Sequence, residues 1–124
     1  MVGLVLVAHS AGLAAEAVAL VKGIAGADTA VAAAGGRESG ELGTSLDLIE
    51  AAIRVVDQGD GVVIIADLGS SVLTARLVEE EGRVVVADVP FVEGAIAAAV
   101  AAGAGAPLAD VLEAAEEART FRKL

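Results

Sequence analysis

"GLVLVAHSAG" occupies residues 3–12, and the break inside it decides how the chain folds. Six small or branched apolar residues run without polar alternation and then stop at His9, the only histidine present. An unbroken apolar run of that length is the signature of a parallel strand covered on both faces. Three more short apolar runs rich in β-branched residues stand out, "TAVAAA" (29–34), "GVVIIA" (61–66) and "RVVVAD" (83–88), and of these "GVVIIA" shares the absence of polar alternation.

The segments between these runs have helical spacing. Leu13, Ala17, Leu20 and Ile24 recur on one face of the first, predicting a buried stripe. Leu46, Ile49, Ile53 and Val56 do so in the second, with Asp47, Glu50 and Arg54 outward, and Leu73, Leu77 and Val78 mark a third that ends at Gly82. Residues 92–104 are apolar almost all round, which predicts a helix buried in the core or in a subunit interface. A last helix begins near Pro107, with Leu108, Val111, Leu112 and Ala115 on one side and Glu113, Glu116 and Glu117 on the other. Strands alternating with helices over short connections predict one α/β domain across residues 1–124, built on a mainly parallel sheet.

Composition narrows the function. Eighteen acidic residues against eight basic ones give a net charge of −10, which repels phosphate backbones and anionic lipid; neither nucleic acid nor membrane is an expected partner. No positive leader precedes "VGLVLVA", and "GAIAAAVAAGAGAPLA" (94–109) falls short of a membrane span, so a cytoplasmic protein is expected. With no cysteine and one histidine, a metal site is poorly supplied. Phe91 and Phe121 are the only aromatics, too few for a base-stacking platform.

Ligands of parallel sheets sit outside the carboxyl ends of the strands. Three polar clusters fall on that edge: His9-Ser10 after the first strand, "GGRESGELGTS" (35–45) after the second and "DLGSS" (67–71) after the third. Each leads into a helix, so N–H groups and hydroxyls converge there in a way that suits an anion, phosphate above all. Ordinary capping accounts for several of these residues singly: Thr44-Ser45 before Asp47 reads as a helix start, Ser70 and Ser71 as caps, and Asp67 as a turn cap. Their convergence on one edge is what points beyond capping. No Walker A, GxGxxG or GxSxG motif occurs. An aspartyl-phosphate receiver is excluded, because the first strand ends in Ala8-His9 without an acidic pair for magnesium.

What remains is His9 as a nucleophile that carries a phosphoryl group, since a neutral imidazole nitrogen attacks phosphorus well. Asp67 would accept a hydrogen bond from the other ring nitrogen and fix the tautomer. The phosphoryl oxygens would be held by groups of the three loops, namely Ser10, Gly36, Thr44, Ser45, Gly69, Ser70 and Ser71. No cofactor is required.

With these residues in this order, the chain resembles the phosphoryl-carrier subunits of phosphoenolpyruvate-dependent dihydroxyacetone kinases, relatives of the mannose-type enzyme IIA domains of the sugar phosphotransferase system. The resemblance rests on "LVLVAHSAGLAAEAVAL" (4–20), "GGRESGELGTS" (35–45), "VVIIADLGSSVLTA" (62–75) and "VPFVEGAIAAAVAAGAGAPLADVLEAA" (89–115). It implies a sheet of order 2-1-3-4 with helices on both faces, which brings His9 and Asp67 together, and a homodimer. It also implies that His9 receives its phosphoryl group from the carrier protein HPr, on Nε2, and passes it to ADP held on the nucleotide-binding kinase subunit. Longer relatives carry HPr-like and enzyme-I-like domains; for a chain ending at Leu124, separate proteins are expected to supply those activities. Two other readings stay open, a mannose-type enzyme IIA of a sugar transporter and a non-catalytic domain that reports phosphotransferase flux through His9. "GTS" (43–45) and "VEGAIAAAV" (92–100) resemble the dihydroxyacetone branch.

Overall fold

The computed structural model describes residues 1–124. The four apolar runs form strands β1 (Gly3–Ala8), β2 (Val31–Gly35), β3 (Val62–Ala66) and β4 (Val84–Val86). All neighbours pair in parallel, in the order β2-β1-β3-β4. Five helices connect or follow them: α1 (Ala11–Ala25), α2 (Leu46–Val56), α3 (Gly69–Ala75, continued by a 3-10 turn at Arg76–Val78), α4 (Phe91–Gly103) and α5 (Leu108–Glu117). The expected α/β architecture and strand order are those observed.

Two cores lie on opposite faces of the sheet, because successive strand residues point to opposite sides. Leu4 and Leu6 of β1 and Val63 and Ile65 of β3 pack under α1, α4 and α5. Val5 and Val7, with Val62 and Ile64, pack under α2 and α3. Every residue of β1 and of β3 is buried, which is why neither strand alternates in sequence. Close packing demands glycine where a strand passes beneath a helix. A Cβ on Gly3 would lie 2.5 Å from the Val56 carbonyl oxygen, and one on Gly35 would lie 2.7 Å from both Ala11 Cα and Ala14 Cβ of α1.

Two expectations about helix faces are corrected. In α1 the buried residues are Ala14, Ala17 and Val21, while Leu13, Leu20 and Ile24 are exposed. Leu73 and Leu77 are likewise exposed, and α3 buries Ser71 and Ala75 instead. The first turns of α1 and the inner faces of α3 and α4 meet the sheet mostly through small residues, whereas α2 buries Ile49, Ile53 and Val56. In α1 and α3 periodicity registers the larger apolar residues, which stand to one side of the inner face. Helix α4 resolves its own alternatives: Gly94, Ala95, Ala98, Ala99 and Ala102 are buried within the chain's core, and Val92 and Val100 are left exposed. The α5 stripe lies as read, with Val111 and Ala115 buried and Leu108 and Leu112 packed at its edge.

Candidate active site around His9

The site forms where β1 and β3, adjacent in the sheet, run out together. Ala66 pairs with Val7 in the β1–β3 register, so the residues after both strands, His9 and Asp67, emerge side by side. The chain leaves β1 through His9 and enters α1 with Ser10 as the N-cap, whose hydroxyl oxygen accepts from Leu13 N–H at 3.3 Å. On the other side the loop after β2 folds back. Gly36 and Thr44 form a bridge, and Gly43 donates its N–H to the His9 carbonyl at 2.9 Å. Gly43 has φ +145, and a Cβ there would strike the Arg37 stem at 2.6 Å, so glycine is required at this contact. In the sequence Gly43 stood out only as part of "GTS" (43–45), and its contact with His9 had no signal there.

His9 is therefore gripped along its backbone as well as its ring. Its N–H donates to Asp67 Oδ2 at 3.0 Å, and its ring Nδ1 lies 3.1 Å from Asp67 Oδ1. Leu68 N–H adds a third donor to the same carboxylate at 2.7 Å. Burial pushes the Asp67 carboxyl up, but the His9 N–H, the His9 ring and the Leu68 N–H together outweigh it and hold the group below the usual carboxylate range. Asp67 is consequently an ionised acceptor, and an uncharged imidazole satisfies it by carrying its proton on Nδ1. Nε2 keeps its lone pair.

Behind the ring, Ser71 is fully buried, with its hydroxyl 3.1 Å from Nδ1 and donating to Asp67 Oδ1 at 3.4 Å. Thr44 Oγ1 lies 2.8 Å from Ser71 Oγ, which connects the loop after β2 to the base of the site. In front, Ser70 Oγ is 2.8 Å from Nε2. The side chain of His9 is 25% exposed and that of Asp67 10%, so the ring is accessible along one edge while its partner is covered.

The residues read as phosphoryl-binding thus fall into three positions. Ser70, on the first turn of α3 begun by Gly69, faces the free nitrogen. Ser71 and Thr44 lie behind the ring. The remaining three have local partners: Ser10 and Ser45 cap α1 and α2, Ser45 also donates to Glu38 at 3.1 Å, and the N–H of Gly36 is bonded to Ala8 O at 2.9 Å.

A parallel 2-1-3-4 sheet with a carboxylate-supported histidine at its carboxyl edge defines a class, and the family comparison agrees with it. The model of the EIIA-man family, described as the PTS system fructose IIA component, matches residues 3–112, and the chain belongs to that family. Within it, the relatives are dihydroxyacetone-kinase subunits. The chain is similar to the PTS-dependent dihydroxyacetone kinase phosphotransferase subunit DhaM of Lactococcus lactis, 33% identical over 93% of this chain and 94% of the relative. It is also similar to the phosphoryl donor subunit DhaM of PEP-dependent dihydroxyacetone kinase 1 of Listeria innocua, 36% identical over 78% of each. Among solved structures, the crystal structure of the unknown-function protein EF1359 superposes with a TM-score of 0.84 at 29% identity, covering 99% of this chain and 98% of the other. No helix is long and apolar enough to cross a membrane.

Proposed function

We propose that residues 1–124 form an enzyme IIA-like phosphocarrier domain that supplies phosphoryl groups to a dihydroxyacetone kinase through a phosphohistidine at His9. The observation that carries this reading is the oriented ring: Asp67 accepts from Nδ1 at 3.1 Å, which leaves Nε2 beside the exposed Ser70 hydroxyl at 2.8 Å. The names of the Lactococcus and Listeria relatives support the choice of kinase.

In this mechanism His9 Nε2 attacks the phosphorus of phosphorylated HPr. The donor's N–P bond breaks with its electron pair retained by the donor imidazole. Asp67 stabilises the positive charge that the His9 ring gains, and no proton has to leave. Hydroxyls and N–H groups of Ser10, Gly36, Thr44, Ser45, Gly69, Ser70 and Ser71 are proposed to surround the phosphoryl oxygens, Ser70 nearest. The second transfer runs to ADP bound on the nucleotide-binding kinase subunit, which fits a chain that has no nucleotide motif of its own. A homodimer is part of the proposal; the exposed Val92, Val100 and Phe121 offer apolar surface for one.

The test is to incubate the protein with phosphoenolpyruvate, enzyme I and HPr and to measure its mass. It should gain one phosphoryl group that is acid-labile and absent from His9→Ala. Mixed with the ADP-loaded nucleotide-binding subunit and the dihydroxyacetone-binding subunit, the phosphorylated protein should yield dihydroxyacetone phosphate. Free ADP should stay unphosphorylated. A second reading, enzyme IIA of a sugar transporter, is favoured by the description of the family model. Transfer to a mannose-type IIB protein, with none to bound ADP, would establish it instead, and uptake from HPr with no onward transfer would leave a flux-reporting domain.

A further inference from the structure

The hydroxyl in front of the nucleophile raises a problem of its own. Ser70 is exposed, and its side chain makes one hydrogen bond, to His9 Nε2 at 2.8 Å. The other hydroxyls near His9 have additional partners: Ser10 holds Leu13 N–H, Ser45 holds Leu48 N–H and Glu38, and Ser71 bridges Asp67 and Thr44. Because Asp67 accepts the hydrogen bond from Nδ1–H, the nitrogen facing Ser70 offers a lone pair, so Ser70 donates. That lone pair is the electron pair that must attack phosphorus. The Ser70 hydrogen and an incoming phosphorus atom compete for one direction in the ring plane, and both cannot occupy it.

We propose that Ser70 is a gate on the His9 nucleophile, closing the Nε2 lone pair before transfer and donating to a phosphoryl oxygen after it. The inference rests on the phosphohistidine reading. Opening needs only a turn about the Ser70 Cα–Cβ bond, and no second bond restrains that turn. The proton stays on Oγ throughout. Once the N–P bond forms, Nε2 no longer has an in-plane pair to accept, while phosphoryl oxygens lie within reach of the same hydroxyl. Ser70 thus exchanges one acceptor for another, and its bond is broken only while the transfer occurs. Without the gate, attack should be easier and the phosphorylated ring less protected.

Ser70→Ala separates these effects, and Ser70→Thr, which keeps a hydroxyl, serves as the conservative control. In the unphosphorylated protein, 15N NMR of the His9 ring should show Nε2 moving toward the position of an unbonded imidazole nitrogen in Ser70→Ala, with Nδ1 still protonated. Losing one neutral hydrogen bond should raise the rate of phosphoryl uptake from saturating phosphorylated HPr by roughly two- to tenfold. Hydrolysis of the phosphorylated variant should accelerate by a similar factor, and Ser70→Thr should restore all three properties. An unmoved Nε2 resonance in Ser70→Ala would overturn the proposal, as would uptake that is unchanged or slower. If the native protein takes up no phosphoryl group at all, the phosphohistidine reading falls and the gate with it, whereas the NMR shift reports the Ser70 bond independently.

Discussion

Asp67 grips His9 at two points, the backbone N–H and ring Nδ1, so its loss should affect both position and charge. Asp67→Asn keeps the size of the side chain but removes the charge that stabilises a phosphorylated ring. Hydrogen bonds to charged groups contribute about 1.5–3 kcal/mol, so phosphoryl uptake should slow by roughly one to two orders of magnitude while the fold survives. Rapid-quench kinetics alongside circular dichroism checks this, and unchanged kinetics would reduce Asp67 to a turn cap. The same residue sets a pH dependence. Its folded pKa lies below that of a free aspartate, so its contribution to stability is present above the ordinary carboxylate range and is lost as pH falls through the lower folded value. Acid titration followed by the His9 ring resonances should find the ring geometry still intact where free aspartates protonate and lost only at lower pH. The ring of Asp67→Asn should lack that transition. Ser71 and Thr44 belong to the same network, and Ser71→Ala removes a buried hydroxyl that faces both Asp67 and Nδ1. It should slow uptake less than Asp67→Asn does, because the charge remains.

At the scale of elements, the β2–α1 contact controls where His9 stands. Gly35 ends β2 directly against the first turn of α1, the helix that His9 and Ser10 introduce. Gly35→Val would force the two apart, since even one Cβ meets backbone and side chain at 2.7 Å. Overpacking of this kind costs about 1–3 kcal/mol, measurable by urea unfolding, and phosphoryl uptake should fall with it because the helix start carries the site. The loop after β2 works from the opposite side. Gly43→Ala combines a strained φ with a clash against the Arg37 stem and should loosen the bond from residue 43 to the His9 carbonyl. Faster amide exchange at residue 43 would register that change. The exposed Leu13, Leu20 and Ile24 show how a helix can carry a readable apolar period and still bury its small residues: close approach to a sheet selects for alanine at the contact.

For the molecule as a whole, α4 is the centre of one of the two cores, because it packs on α5, α1 and the sheet together. Ala98 is completely buried there. Ala98→Glu would place an unpaired carboxylate in an apolar core, so the chain should lose about 3–5 kcal/mol, seen as a large drop in the denaturation midpoint. Light scattering of the unmutated protein tests the proposed homodimer separately.

The strands, the α/β class and the candidate nucleophile were legible from sequence because each is a local signal. Unbroken apolar runs mark β1 and β3 as covered on both faces, and His9 is the single imidazole at a strand end. The strand order came from family resemblance rather than from spacing, since local periodicity carries no information about which strands are neighbours. Tertiary structure alone decided the rest. It set Asp67 against Nδ1 and Ser70 against Nε2, although the two residues are separated by only three positions in one loop and helix start. It also buried Ala14 rather than Leu13, and Ser71 rather than Leu73. The reason is physical: hydrophobicity records what a side chain avoids, whereas the distance between packed elements determines which side chains fit.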